Sequence, residues 1–209
     1  QRSAATSLLL SGDLRAVLSL CFLRVGYRLL IFAGTTGGDI IVWSLHSTWE
    51  HYENQRFDCA PIWSYKAHQS GTNSIDARLV STEATRSNIR ICSGGDDQAI
   101  TVCSAILNSN YGEKIAFYAF SLHTTNNASC SAIKGVKLIT VDRLLSVGYS
   151  QRLAMWEINA ESCELTLSTS TPIDIADVSS LSLCFIGGAG ELGRSVAVIG
   201  GEGVALQQI

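Results

Sequence analysis

Four histidines, seven cysteines and one pair of adjacent aspartates are the residues of this 209-residue sequence best suited to chemistry. A hydrolase would need a nucleophile, an imidazole and a carboxylate converging on one point. The histidines are His46, His51, His68 and His123, and no G-x-S-x-G elbow accompanies them. Cys59 and His68 are close enough in sequence to suggest a thiol–imidazole dyad. They fall, however, in a polar link and at the start of a repeat. His46 and His51 are five residues apart but lack the further ligands that zinc requires. Asp96 and Asp97 could hold a hard cation; a turn carboxylate accepting nearby backbone N–H groups fits their setting better. The stretch GTTGG at 34–38 lacks the Lys-Ser/Thr of a phosphate loop, and no helix follows it. The stretch GGAGELG at 187–193 separates two apolar runs and reads as a loop. The cysteines (Cys21, Cys59, Cys92, Cys103, Cys130, Cys163, Cys184) include no C-x-x-C pair. Most lie in apolar runs, where cysteine acts as a small hydrophobe, and they read as reduced thiols in a cytoplasmic setting. The expectation is no catalytic residue, no metal and no cofactor held by this chain.

The elements that carry these residues repeat. AGTTGGDIIVW at 33–43, SGGDDQAITVC at 93–103 and SVGYSQRLAMW at 146–156 align without a gap, and GGEGVALQ from 200 repeats them with a shorter turn. Each is an apolar run, a tight turn and a second apolar run, the pattern of a β-hairpin. Gly34, Gly94, Gly148 and Gly200 are spaced by 60, 54 and 52 residues. Further strand candidates precede the hairpins at 16–23, 72–80, 132–139 and 181–186. Others follow at 61–66, 114–122 and 163–167. About four strands per unit is the content of one propeller blade, although the period exceeds the roughly 40–45 residues of a WD40 blade. The predicted fold is all-β, with about four blades of a larger, divergent WD40-type propeller. The boundaries expected are 1–11 for the end of a preceding blade, with Ser7–Leu10 as its last strand. Blades follow at 12–66, 67–123 and 124–169, and a last one, possibly incomplete, at 170–209. The chain starts at Gln1 and its only methionine is Met155, so a piece of a longer polypeptide is expected.

Composition narrows the functional classes. Hydrophobic residues make up 46% and charged residues 16%, which excludes a disordered chain. No apolar run reaches the roughly 18 residues of a membrane span. The net charge is −3, and successive segments 1–50, 51–107, 108–158 and 159–209 carry +1, −1, +2 and −5. Phosphate binding needs clustered Lys and Arg. The best candidates for RNA contact are Lys134, Lys137, Arg143 and Arg152. A near-neutral surface suits protein partners better.

The hairpins resemble WD40 repeats, two of which end in the expected tryptophan (Trp43, Trp156). In order along the chain come YKAHQSG at 65–71, SGGDD at 93–97, GVKL at 135–138, SQRL and MW within 150–156, and PIDIADV at 172–178. This series resembles the C-terminal part of the WD repeat-containing protein 6 family, over roughly residues 29 to 209. The resemblance implies a non-catalytic scaffold subunit of a tRNA 2′-O-ribose methyltransferase acting on the wobble nucleotide of the anticodon loop. An FtsJ-type partner enzyme would hold the S-adenosylmethionine, and tRNA would be a partner through the full-length protein. It also implies structural blade positions at Trp43, His68, Ser93, Asp97 and Trp156, drawn from the buried His, Ser/Thr, Asp and Trp chain of WD40 blades. No blade here has the full set: Cys103 replaces the second tryptophan, Ser150 the third turn aspartate and Gln207 the fourth tryptophan. The other reading is a WD40 adaptor for a different complex, as a ubiquitin-ligase substrate receptor or an endosomal trafficking scaffold.

Overall fold

The structure is a computed structural model that describes residues 8–10, 15–46, 57–108, 115–186 and 194–209. In chain order its strands are β1 (Leu8–Leu10), β2 (Val17–Val25), β3 (Arg28–Thr35), β4 (Asp39–His46), β5 (Phe57–Cys59) and β6 (Trp63–Lys66). Then come β7 (Thr72–Glu83), β8 (Arg86–Gly95), β9 (Ile100–Asn108), β10 (Ala116–Thr125), β11 (Ile133–Leu138) and β12 (Arg143–Gly148). The last are β13 (Arg152–Ile158), β14 (Leu165–Pro172), β15 (Ser180–Ile186), β16 (Arg194–Gly201) and β17 (Gly203–Gln208). They form antiparallel sheets in the orders β2-β3-β4-β6, β7-β8-β9-β10, β11-β12-β13-β14 and β15-β16-β17. Consecutive sheets pack face to face, and β2, β7, β11 and β15 adjoin one another in that order. This is a propeller-type, all-β arrangement of four blade-like sheets. Leu8–Leu10 pairs in parallel with Phe57–Cys59, apart from the four sheets. Ser7, most of the polar link after His46 and the glycine-rich stretch 187–193 lie outside the described residues. Among the described residues, no helix is long and apolar enough to cross a membrane.

Strand periodicity explains the layering. Alternate side chains of one strand face opposite neighbours. On β8, Ile89 and Ile91 pack toward the first sheet with Phe32 and Val42, while Cys92 packs toward the third with Val136 and Leu138. On β12, Leu144 faces the second sheet and Leu145 the fourth. Strands buried on both faces read as near-continuous apolar runs, as 29–34 does and, apart from Ser104, 102–107. Each fully buried Leu, Ile or Phe contributes about 1.5–3 kcal/mol, against about 0.5–1.5 kcal/mol for a hydrogen bond. Apolar burial therefore holds the sheets together, and polar contacts set their register. Ser19 Oγ donates to the Thr72 carbonyl at 2.9 Å, and Asn73 Nδ2 to that of Ile133 at 3.0 Å. Leu138 N donates to Asp76 at 2.9 Å, and Arg78 to the Leu138 carbonyl at 2.9 Å.

The recurring glycine answers to this close approach. A Cβ at Gly94 would stand 2.5 Å from Ile133 Cγ2 and 3.0 Å from Val136 Cγ1. At the equivalent Gly34 it would meet Ser19 and the Thr72 backbone. Neither contact can be relieved without separating two sheets. Gly94→Ala is therefore expected to destabilise the protein by about 1–3 kcal/mol, as overpacked cores do, measurable by chemical denaturation. An unchanged midpoint would mean that the inner strands are free to move apart.

Candidate functional site

His68 lies in the short link between β6 and β7, where its backbone N–H donates to the Gly38 carbonyl at 3.0 Å. Ser93 is on β8 and Asp97 in the β8–β9 turn. The imidazole joins them: Nδ1 to Asp97 Oδ1 at 2.9 Å and Nε2 to Ser93 Oγ at 2.8 Å. A carboxylate only accepts, so Nδ1 carries the proton and Nε2 of the neutral ring accepts from the serine hydroxyl. Asp97 also accepts from Gln69 N at 2.8 Å and Ala99 N at 3.2 Å. Its carboxylate thus ties the link, the turn and the imidazole together.

The connectivity is that of a hydrolase triad, nucleophile to base to orienting carboxylate. The environment is not. Ser93 is 0% exposed and His68 2%, so no substrate carbonyl can reach the hydroxyl. A Cβ at Gly95 would come within 2.6 Å of His68 Nδ1, which shows how closely the backbone covers the ring. Burial pushes the His68 pKa below its ordinary value, against the opposing pull of Asp97. The ring is held neutral and out of reach, as suits a structural relay between the first two sheets.

The other blade positions vary this theme. Cys103, where a tryptophan would complete the chain, is buried against the first sheet with its thiol pushed up to about 12 by burial. In the third sheet, Trp156 Nε1 donates to Ser146 Oγ at 2.8 Å, and Ser129 Oγ donates to Ser150 Oγ at 3.2 Å. Trp43 is buried among Ile31, Ile41 and Leu45 on the face of the first sheet turned away from the second. Ser129 and Ser146 escape a motif reading because serine is common and unremarkable. Their signal is the alignment that sets Ser146 against Ser93.

The four basic candidates do not converge. Lys134 Nζ pairs with Asp96 at 2.9 Å and lies 5.0 Å from the Tyr149 ring centre. Lys137 Nζ pairs with Asp76 at 3.2 Å. Both pairs bridge the second and third sheets. Arg143 lies near Glu157 at 3.7 Å, both exposed. Arg152 is at the opposite end of the third sheet, donating to Ser170 Oγ and the Ser170 carbonyl, each at 2.8 Å. Burial pushes the Asp96 carboxyl up, but hydrogen bonds from Lys134 and Asn73 outweigh it and hold the group below its ordinary value.

Asp96 and Asp97 thus serve different partners and do not form one cation site. His68 has both ring nitrogens engaged away from Cys59, whose thiol lies near the Ser44 carbonyl. His46 ends β4, His123 lies on β10, and His51 lies outside the described residues. Among the described residues, no three His, Cys, Asp or Glu side chains group so as to hold a metal ion.

The fold is shared with solved structures. The chain is similar to the crystal structure of Sqt1 from Saccharomyces cerevisiae, with a TM-score of 0.56 and 11% identity, covering 91% of this chain and 45% of that one. It is similar also to Sqt1 from Chaetomium thermophilum, with a TM-score of 0.54, 10% identity and the same coverages. At this identity the likeness is one of fold. The chain spans less than half the length of these structures. No family model and no curated protein matches the sequence.

Proposed function

We propose that this chain belongs to a non-catalytic propeller scaffold of a tRNA 2′-O-ribose methyltransferase acting on the wobble nucleotide in the cytoplasm. The observation that carries the reading is the ordered motif series from 65 to 178, set on a propeller-type fold. Its segments include the positions that build the sheet interfaces. His68, Ser93 and Asp97 form the buried relay, Gly135 abuts Leu181, and Ile175 and Val178 are buried in the core under the fourth sheet. The partner enzyme, of the FtsJ type, would hold the S-adenosylmethionine and carry out methyl transfer. This region would supply surface for docking that enzyme, with tRNA engaged through the full-length protein. The engagement of Lys134 and Lys137 by Asp96 and Asp76 supports a protein-facing role, because paired cations release fewer counterions on binding a phosphate backbone.

Deleting the gene for the full-length protein should abolish 2′-O-methylation at the wobble ribose, read by mass spectrometry of tRNA nucleosides. Unchanged methylation would reject the reading. Within the complex, the double variant K134A/K137A is expected to lower stability by about 1–2 kcal/mol, since each pair is partly shielded from solvent. It should leave the salt dependence of tRNA binding unchanged. A salt slope reduced by about two would instead make these lysines phosphate contacts.

A further inference from the structure

The third sheet repeats the relay position of the second with smaller side chains. Ile133 pairs with Gly148 across β11–β12 as Thr72 pairs with Gly95 across β7–β8. Counting from these pairs sets Ser129 against His68, Ser150 against Asp97 and Ser146 against Ser93. In the second sheet the imidazole spans the whole distance, touching Asp97 at one edge and Ser93 at the other. In the third, the Ser129 hydroxyl bonds Ser150, and Ser146 is bonded instead to the Trp156 indole. A serine has no ring to fill the space between them. A cavity of about 210 Å³ lies there, lined by Ser129, Ser146, Ser150 and Trp156 and bordered by Arg152 and Leu167. Its inner wall is buried, with Ser146 and Trp156 each 6% exposed, while Leu167 is 50% exposed and Arg152 is also open to solvent. Among the lining residues Arg152 alone is charged.

We propose that this cavity is a binding site for a neutral imidazole ring, presented as the histidine side chain of a partner segment. Ser146 Oγ accepts from Trp156 and keeps its own O–H to donate to a ring nitrogen, as Ser93 does to His68. The hydroxyls of Ser129 and Ser150 stand at the opposite edge to accept the ring N–H. Trp156, Ile133 and Ala154 supply apolar walls for the ring faces. The charge of the lining selects the protonation state. With Arg152 at the mouth and no carboxylate in the position of Asp97, an imidazolium is disfavoured. Binding therefore strengthens as pH rises through the free ring's own pKa.

The test is a titration of the full-length protein, ¹⁵N-labelled at the tryptophan indoles, with imidazole and then with N-acetyl-histidine amide. The Trp156 indole signal, identified through W156F, should move saturably with both probes, and more strongly above the pKa of the probe than below it. Ser129→His should abolish the shift by supplying the ring from within. Ala154→Leu should abolish it by bulk, which keeps the test decisive if the first variant does not fold. An immobile Trp156 signal would overturn the proposal, as would a shift that survives both variants. A response to acetate in place of imidazole would make the site one for anions. Movement with imidazole but not with the amide would exclude a histidine side chain as the occupant.

Discussion

His68→Ala is expected to destabilise the protein by about 3 kcal/mol. Two hydrogen bonds are lost, the fully buried Ser93 hydroxyl loses its partner, and a ring-sized void opens between the first two sheets. For a chain of this size that corresponds to a fall of about 6–12 °C in Tm. The effect carries a pH signature. Burial holds the folded-state pKa of His68 below the ordinary imidazole value, so folding favours the neutral ring. Its contribution is complete above the unfolded pKa and is lost as pH falls through the folded pKa. Mild acidification should therefore lower the Tm of the parent protein, and His68→Ala should show less of that decline. Ser93→Ala separates the two meanings of the triad-like geometry. As a structural relay it should cost about 1–2 kcal/mol by leaving Nε2 without a donor. A catalytic serine would instead show a loss of ester hydrolysis with stability retained. Melting curves of the three proteins across pH, with an ester substrate assay alongside, check all of this.

Trp156→Ala is expected to cost still more, about 3–5 kcal/mol. The indole fills the interface between the second and third sheets with Val102, Leu144 and Ile158, and its N–H satisfies the buried Ser146. Trp156→Phe keeps most of the apolar volume and removes the donor. It should cost about 1–2 kcal/mol, the size of an orphaned buried hydroxyl. The difference between the variants divides packing from hydrogen bonding at one site. Hydrogen exchange adds a spatial check: in Trp156→Ala, loss of protection should be largest on β12 and β13. Uniform loss across all four sheets would mean that the sheets unfold only as one unit.

The repeat was legible because two-residue alternation, turn residues and close-approach glycines are local features. Gly34 and Gly94 stand out at the same place in the first two hairpins, and the structure gives the reason in the neighbouring sheet pressed against them. His68 and Asp97 came instead from the resemblance to WD40 blades, and the structure places them 2.9 Å apart. What joins one sheet to the next left little trace. Asp76 meets Lys137 and the Leu138 backbone from over 60 residues away. Arg90 reaches across to Cys163 and the Ala160 carbonyl at 3.3 Å each. Neither contact has a local signature, because the spacing depends on the lengths of intervening loops. The sequence around Lys134 and Lys137 likewise carries no sign of Asp96 and Asp76, the carboxylates that meet them from the second sheet. The cavity beside Trp156 was hidden for a related reason: Ser129 is informative only when set against His68 in the preceding sheet.

Purification of the full-length protein from cytosol, with mass spectrometry of bound proteins and sequencing of bound RNA, tests the scaffold reading most directly. The expected result is an FtsJ-type methyltransferase together with tRNA. Ubiquitin-ligase or trafficking components in their place, with no tRNA, would contradict it and leave the propeller fold serving a different complex.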